Sequence, residues 1–226
     1  MIRKETIYFF KELNQNNNKP WFEENKLRYI AAQEDFLNFI DELLPEIRKI
    51  ESIYEKDLKK YASRIYRDIR FSKDKSPYKN NISGLIERAA NDKKCPFYIQ
   101  ITQGASLIAG GVWQPDPTLL GKVRQEIDYN GSAFNIIINK KTFIDRFGTL
   151  NGDPLFPTMV REKLIRPPKG YTDDNPNIEL IKLKQYIVHR HFDDDMVCSK
   201  NFIKEVVISY KEALPFFNFF DAVKGE

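Results

Sequence analysis

The chain has 226 residues, 42% of them hydrophobic, including 17 Phe and 11 Tyr, and a formal net charge of +4. That length suits a single hydrophobic core, and that apolar share excludes a disordered or low-complexity chain. No run approaches the roughly 18 consecutive apolar residues of a membrane-spanning helix, and Cys95 and Cys198 form neither a CxxC pair nor a disulfide framework.

The opening segment, MIRKETIYFFKEL, sets charges on both sides of a short apolar run. It lacks the long apolar stretch and small-residue cleavage site of a signal peptide, so a cytoplasmic location is expected. Within residues 4–16, Ile7, Phe10 and Leu13 fall on one helical face. Asn16, Asn17 and Asn18 are expected to end that helix and cap the next, with Pro20 suited to a first turn. Helical spacing resumes at Trp21 and is clearest at Phe36, Ile40, Leu43, Leu44 and Ile47, where Pro45 marks a kink or a break and restart. Residues 1–58 therefore read as a helical hairpin.

Residues 59–115 read as a sheet-rich core. Ile65, Ile69 and Phe71 sit at even separations, which predicts a strand whose other face carries Arg64, Tyr66, Asp68 and Arg70. A polar turn at Ser72–Pro77 follows, then strands at Asn81–Ile86, Pro96–Thr102 and Ala105–Trp113, the last two joined through Gln103-Gly104. Residues 116–226 read as helices and irregular segments. Asp116-Pro117 opens a helix to about Ile127, and Asn130 caps another reaching toward Phe147, although Ile136–Ile138 alone would suit a strand. An irregular connection at 148–177 leads to a short helix near Ile178–Leu183, a strand at Gln185–His191 and a terminal helix from about Ser199 to Phe219. The expected fold class is α+β: an N-terminal helical hairpin packed with a mainly antiparallel sheet and further C-terminal helices, in one domain of residues 1–226.

Charge is concentrated in one place. Residues 59–79 hold eight Lys or Arg against Asp68 and Asp74, a net of +6, which leaves −2 for the rest of the chain. A local patch on a slightly acidic protein suggests one focused anion site more than a long groove tracking a nucleic-acid backbone. If residues 64–71 are a strand, Arg64, Asp68 and Arg70 share a face, with one carboxylate between two guanidiniums. Guanidinium forks match phosphate or carboxylate oxygens in pairs, and Lys73, Lys75 and Lys79 add mobile point charges. Asp68, Asp74 and Tyr78 are the candidate proton-transfer groups. The plainer alternative is that the aspartates satisfy neighbouring arginines in a structural network while the lysines are solvated. Arg67 falls on the apolar side and needs a carboxylate partner if that side is buried.

The run R-x-x-R-D-x-R-F-x-x-D-K-x-P-Y-K from Arg64 to Lys79 resembles the signature of an uncharacterised family of bacteria and some fungi, number 2461 among the domains of unknown function. Asn17, Trp21, Phe22 and Tyr29 resemble its N-N-x-x-W-F…Y element, and Gly110-Gly111-Val112-Trp113 its G-G-x-W element. The resemblance runs nearly the whole chain. It implies Arg64, Arg67, Asp68, Arg70, Phe71, Asp74, Lys75 and Tyr78 as signature positions without assigning them roles, and it implies no activity.

Further candidates are weaker. Gly110 and Gly111 before Trp113 allow close approach of a ligand or of another backbone, and the helix start at Asp116-Pro117 is of a kind that holds anions. His189 and His191 share a strand face ahead of Asp193, Asp194 and Asp195, but two histidines without a committed third ligand do not make a metal site. No cofactor motif is present, so neither a metal nor a cofactor is expected. The expected partner is a small phosphorylated or carboxylated molecule bound by Arg64, Arg67, Arg70, Lys73, Lys75 and Lys79, with Gly110, Gly111 and Trp113 nearby. The alternatives are a nucleic-acid-binding module that stacks bases on Tyr66, Phe71 and Tyr78, and a protein-interaction domain.

Overall fold

Three asparagines punctuate the N-terminal helices of the computed structural model, which describes residues 1–89, 95–150 and 162–223. Helix α1 (Lys4–Gln15) ends where the Asn16 N–H closes on the carbonyls of Glu12 and Leu13. The side chain of Asn18 accepts from the Trp21 N–H and starts α2 (Lys19–Glu24), with Pro20 in its first turn, as the sequence predicts. Asn25 then separates α2 from α3 (Lys26–Arg48), a division that helical spacing alone does not announce. Pro45 lies inside α3, near its end, without terminating it.

The remaining elements are β1 (Ile82–Ile86), β2 (Phe97–Ile101), β3 (Ser106–Val112), α4 (Pro117–Ile138), α5 (Lys141–Phe147), α6 (Ile178–Ile181), β4 (Tyr186–Phe192), α7 (Asp194–Val197) and α8 (Phe202–Asp221). The strands form one antiparallel sheet in the order β1-β2-β3-β4. β1 and β2 pair with Ile82 opposite Ile101 and Ile86 opposite Phe97. The α+β class with leading helices is as expected. By contact density the chain falls into two compact units: Met1–Ala89 with Phe97–Ile108 and His191–Ile208, and Ala90–Pro96 with Ala109–Arg190 and Ser209–Glu226.

In the first unit, α1 and α3 bury Phe9, Phe10 and Leu13 with Phe36, Phe39, Ile40 and Leu43, and Phe39 stacks on Phe202 at a centroid distance of 5.1 Å. Asp35, buried on α3, accepts from the Arg3 N–H, the Arg3 guanidinium and the Thr6 hydroxyl, so one carboxylate pins the start of α1. Residues 61–63 run close against β1. Ala62 pairs with Gly84, the Ser63 N–H donates to the Ser83 carbonyl at 2.7 Å, and a Cβ on Gly84 would stand 2.5 Å from the Tyr61 carbonyl oxygen. Only glycine admits that approach.

In the second unit, Phe134 of α4 meets Phe216, Phe219 and Phe220 of α8, with ring centroids 4.5–5.8 Å apart. Asp116 caps α4 as predicted, accepting from the N–H groups of Thr118 and Leu119. The break expected at Asn130 is a kink within one helix (φ −111°, ψ 26°). Asn130 directs its amide to Glu126 instead of capping a new helix. Ile136–Ile138 are helical because Ile138, four residues from Phe134, completes the buried face. The irregular connection at 148–177 lies partly outside the described residues.

Candidate functional site

The strand expected at Ile65–Phe71 does not form. Only Tyr66 pairs, with Tyr78, flanked by hydrogen bonds from the Arg67 N–H to the Pro77 carbonyl (3.0 Å) and from the Lys79 N–H to the Ile65 carbonyl (2.8 Å). On the Arg67 side the reciprocal bond is missing, because Pro77 has no N–H to donate. Asp68 turns the chain instead, its carboxylate accepting from the Arg70 N–H at 3.2 Å, a local bond that competes with strand pairing. Phe71, expected on the apolar side, is 96% exposed as a result. Arg64, Asp68 and Arg70 consequently do not form the shared face that a strand would give them.

The turn is closed by its own charges. Arg70 binds Asp68 through Nε (3.0 Å) and a terminal nitrogen (2.6 Å), and both side chains face solvent. Arg67, whose side chain is 28% exposed, pairs with Asp74. That is the carboxylate partner its inward position requires. Asp74 also accepts from the Ser76 N–H and hydroxyl, and Lys75 donates to the Ile69 carbonyl at 2.9 Å. Lys73 is exposed on the turn.

A cleft of about 310 Å³ opens beside this turn, entirely within the first unit. Arg67, Asp74, Ser76, Tyr78 and Lys79 form one side; Asn14 at the end of α1, Asn17 in the α1–α2 turn, and Asn80 and Asn81 complete it. Asn17 fixes the geometry by pairing with both backbone polar groups of Tyr78, its N–H and its carbonyl. The Asn80 backbone is held by the Thr102 hydroxyl, which donates to its carbonyl at 2.6 Å.

The cations of the cleft, Arg67 and Lys79, and the neighbouring Arg64 and Arg70 outside its lining are not all neutralised. Arg67 and Arg70 are occupied by aspartates, whereas the side chains of Lys79 and Arg64 form no hydrogen bond or ion pair among the described residues. Lys79 is half-buried, and burial together with the nearby Arg64 charge lowers its pKa.

The candidate proton-transfer groups are each perturbed. Asp68 is held below the usual carboxylate value by the Arg70 guanidinium and N–H. Asp74 lies well below it, through the Ser76 hydroxyl and N–H and through Arg67. Tyr78 is 3% exposed and stacks on Phe22 at 4.0 Å. Burial, then the neighbouring Tyr66 and Glu23, raise its pKa, so its hydroxyl stays protonated at neutral pH. Tyr66, at 62% exposure, faces solvent, as Phe71 does.

Gly110, Gly111 and Trp113 belong to the second unit. A Cβ on Gly110 would collide with the Phe217 ring, and one on Gly111 (φ 128°) with the Tyr186 carbonyl oxygen, so internal packing accounts for both glycines. The end of α4 considered for an anion is filled by Asp116 itself. Among the described residues, no three His, Cys, Asp or Glu side chains gather closely enough to hold a metal ion, and no helix is long and apolar enough to cross a membrane.

Four residues of the cleft, Asn14, Ser76, Asn80 and Asn81, are not among the candidates drawn from the sequence. The available signal was the Asn80-Asn81 pair directly after Lys79, since adjacent amides beside a cation are a polar-site composition. A family model described as conserved hypothetical protein (DUF2461) matches residues 5–219. No curated protein and no solved structure matches the chain.

Proposed function

The chain belongs to the DUF2461 family of conserved hypothetical proteins, and since that membership brings no activity with it, we propose from the cleft alone that the protein binds a small phosphorylated or carboxylated molecule there. The observation that carries this reading is Lys79: a half-buried ammonium on a cleft wall, given no carboxylate among the described residues and near enough to the exposed Arg64 to feel its charge. A partly desolvated ammonium without a counter-charge costs stability, and an anion bound beside it reverses that cost. Arg67 lies in the same wall, already ordered by Asp74, and is positioned to donate through its remaining N–H groups.

Binding is favoured over turnover. Asp68 and Asp74 are weak bases because their neighbours stabilise the ionised form, and Tyr78 serves as a donor, not as a base. The test is isothermal titration with inorganic phosphate, phosphate esters and organic acids, repeated on Lys79→Met and Arg64→Ala. Saturable binding by the parent, lost in both variants while their far-UV spectra stay unchanged, is the expected result. Absence of binding by every anion would sink the reading.

A second reading rests on Phe71. A phenyl ring exposed at 96% on a turn carrying Arg70, Lys73 and Lys75 is suited to stack on a base of single-stranded nucleic acid. Oligonucleotide affinity that falls steeply with salt and drops in Phe71→Ser would favour it.

A further inference from the structure

The cleft holds more than cations, and its other groups narrow the ligand. Asn80 donates from Nδ2 to Asn14 Oδ1 at 3.0 Å, and Asn81 donates from Nδ2 to Asn80 Oδ1 at 3.4 Å. Three side-chain amides thus form a relay across the cleft, joining residues 66 positions apart in sequence. Each amide has two N–H donors and an oxygen with two lone pairs. The relay uses one N–H of Asn80, one N–H of Asn81 and one lone pair each on Asn80 and Asn14. It leaves both N–H groups of Asn14 and the whole carbonyl oxygen of Asn81 for other partners.

A site for a bare anion needs donors alone, because phosphate and carboxylate oxygens only accept. The unused amide oxygen of Asn81, once a ligand displaces the water that otherwise serves it, is satisfied only by a ligand that also donates. Aliphatic and aromatic groups are poor candidates, since small-molecule pockets that hold them are lined mainly by apolar side chains, and this lining is nearly all polar. A volume of about 310 Å³ leaves room for one small ring and its charged substituent. Building on the anion-binding reading above, we infer that the ligand is a polyhydroxylated anion of monosaccharide size, a sugar or polyol carrying a phosphate or carboxylate. Its charged group sits at Lys79 and Arg67, the two cations of the cleft lining, and its hydroxyls exchange hydrogen bonds with Asn14, Asn80 and Asn81.

The test compares five probes by titration calorimetry on the intact protein: inorganic phosphate, n-butyl phosphate, glucose 6-phosphate, gluconate and glucose. The expected result is that glucose 6-phosphate or gluconate binds at least tenfold more tightly than n-butyl phosphate, while glucose alone does not bind. In Asn80→Ala and, separately, Asn81→Ala, that preference should shrink to within about twofold. Because Asn80 is exposed and Asn81 half-exposed, both variants are expected to fold. If inorganic phosphate and n-butyl phosphate bind as well as glucose 6-phosphate, the hydroxyl inference is overturned and the anion reading stands. If no anion binds, both fall together.

Discussion

Asn17 pairs with both backbone polar groups of Tyr78, donating from Nδ2 to its carbonyl at 2.9 Å and accepting from its N–H at 3.1 Å. Through these two bonds a helical turn fixes a residue 61 positions away and holds one wall of the cleft against another.

Asn17→Ala leaves both groups of a buried peptide unpaired. The expected loss is about 1–3 kcal/mol in urea unfolding, since unmet buried polar groups carry the desolvation penalty of each. Asn17→Asp keeps the acceptor and loses the donor, and its loss should be smaller. Equal stability of all three proteins would show that the clamp is dispensable.

Two glycines should respond in opposite directions to the same added methyl. In Gly84→Ala the new Cβ meets backbone at the Tyr61 carbonyl, so a loss of about 1–3 kcal/mol is expected from overpacking. In Gly121→Ala, on the exposed side of α4, nothing lies within 4 Å, and a gain of about 0.5–1 kcal/mol is expected from helix propensity. Thermal unfolding of the two variants checks both signs.

Phe71→Ser should change stability by less than about 0.5 kcal/mol, as exposed substitutions usually do. A Phe on the apolar face of a strand would instead cost about 3–5 kcal/mol on truncation. Denaturant midpoints therefore separate an irregular turn from a strand at this position.

Asp74 links the turn to pH. Its folded pKa is depressed, so it contributes stability above the unfolded carboxylate value of about 4, and that contribution is lost as pH falls below it. Asp74→Asn should be less stable than the parent at pH 7, and the gap in urea midpoint should narrow at pH 3. A gap that is constant across that range would mean the ionised form is not what matters.

Lys79 has the reverse sign. Its folded pKa is lowered, so the unfolded chain holds the proton more tightly, and the empty protein gains stability as pH rises through the window just below the ordinary lysine value. Phosphate affinity should fall over the same window, because the binding charge disappears. Lys79→Met should bind no phosphate yet be at least as stable as the parent at pH 7, with chemical denaturation from pH 7 to 10 as the measurement.

Periodicity and capping carried much of the fold. The Asn18 cap, the Asp116-Pro117 helix start and the β2–β3 hairpin are all written in short-range chemistry. The errors came where a local pattern met a longer-range fact. Even spacing of Ile65, Ile69 and Phe71 suggested a strand, but a strand needs a partner with donors, and the segment facing it contains Pro77. The candidate cleft was legible in part. Composition marked the basic segment, and the cleft gathers Arg67, Asp74, Tyr78 and Lys79 from it. Which cations would be neutralised internally was not legible, because ion pairing depends on the turn that Asp68 and Asp74 build. Asn14 and Asn80 were hidden for a similar reason, since folding alone brings them together.

Asn17 has one more effect. The Tyr78 N–H and carbonyl lie on the edge turned away from residues 65–67, and because the Asn17 amide already occupies both, a foreign extended chain approaching along that edge finds them taken at this position.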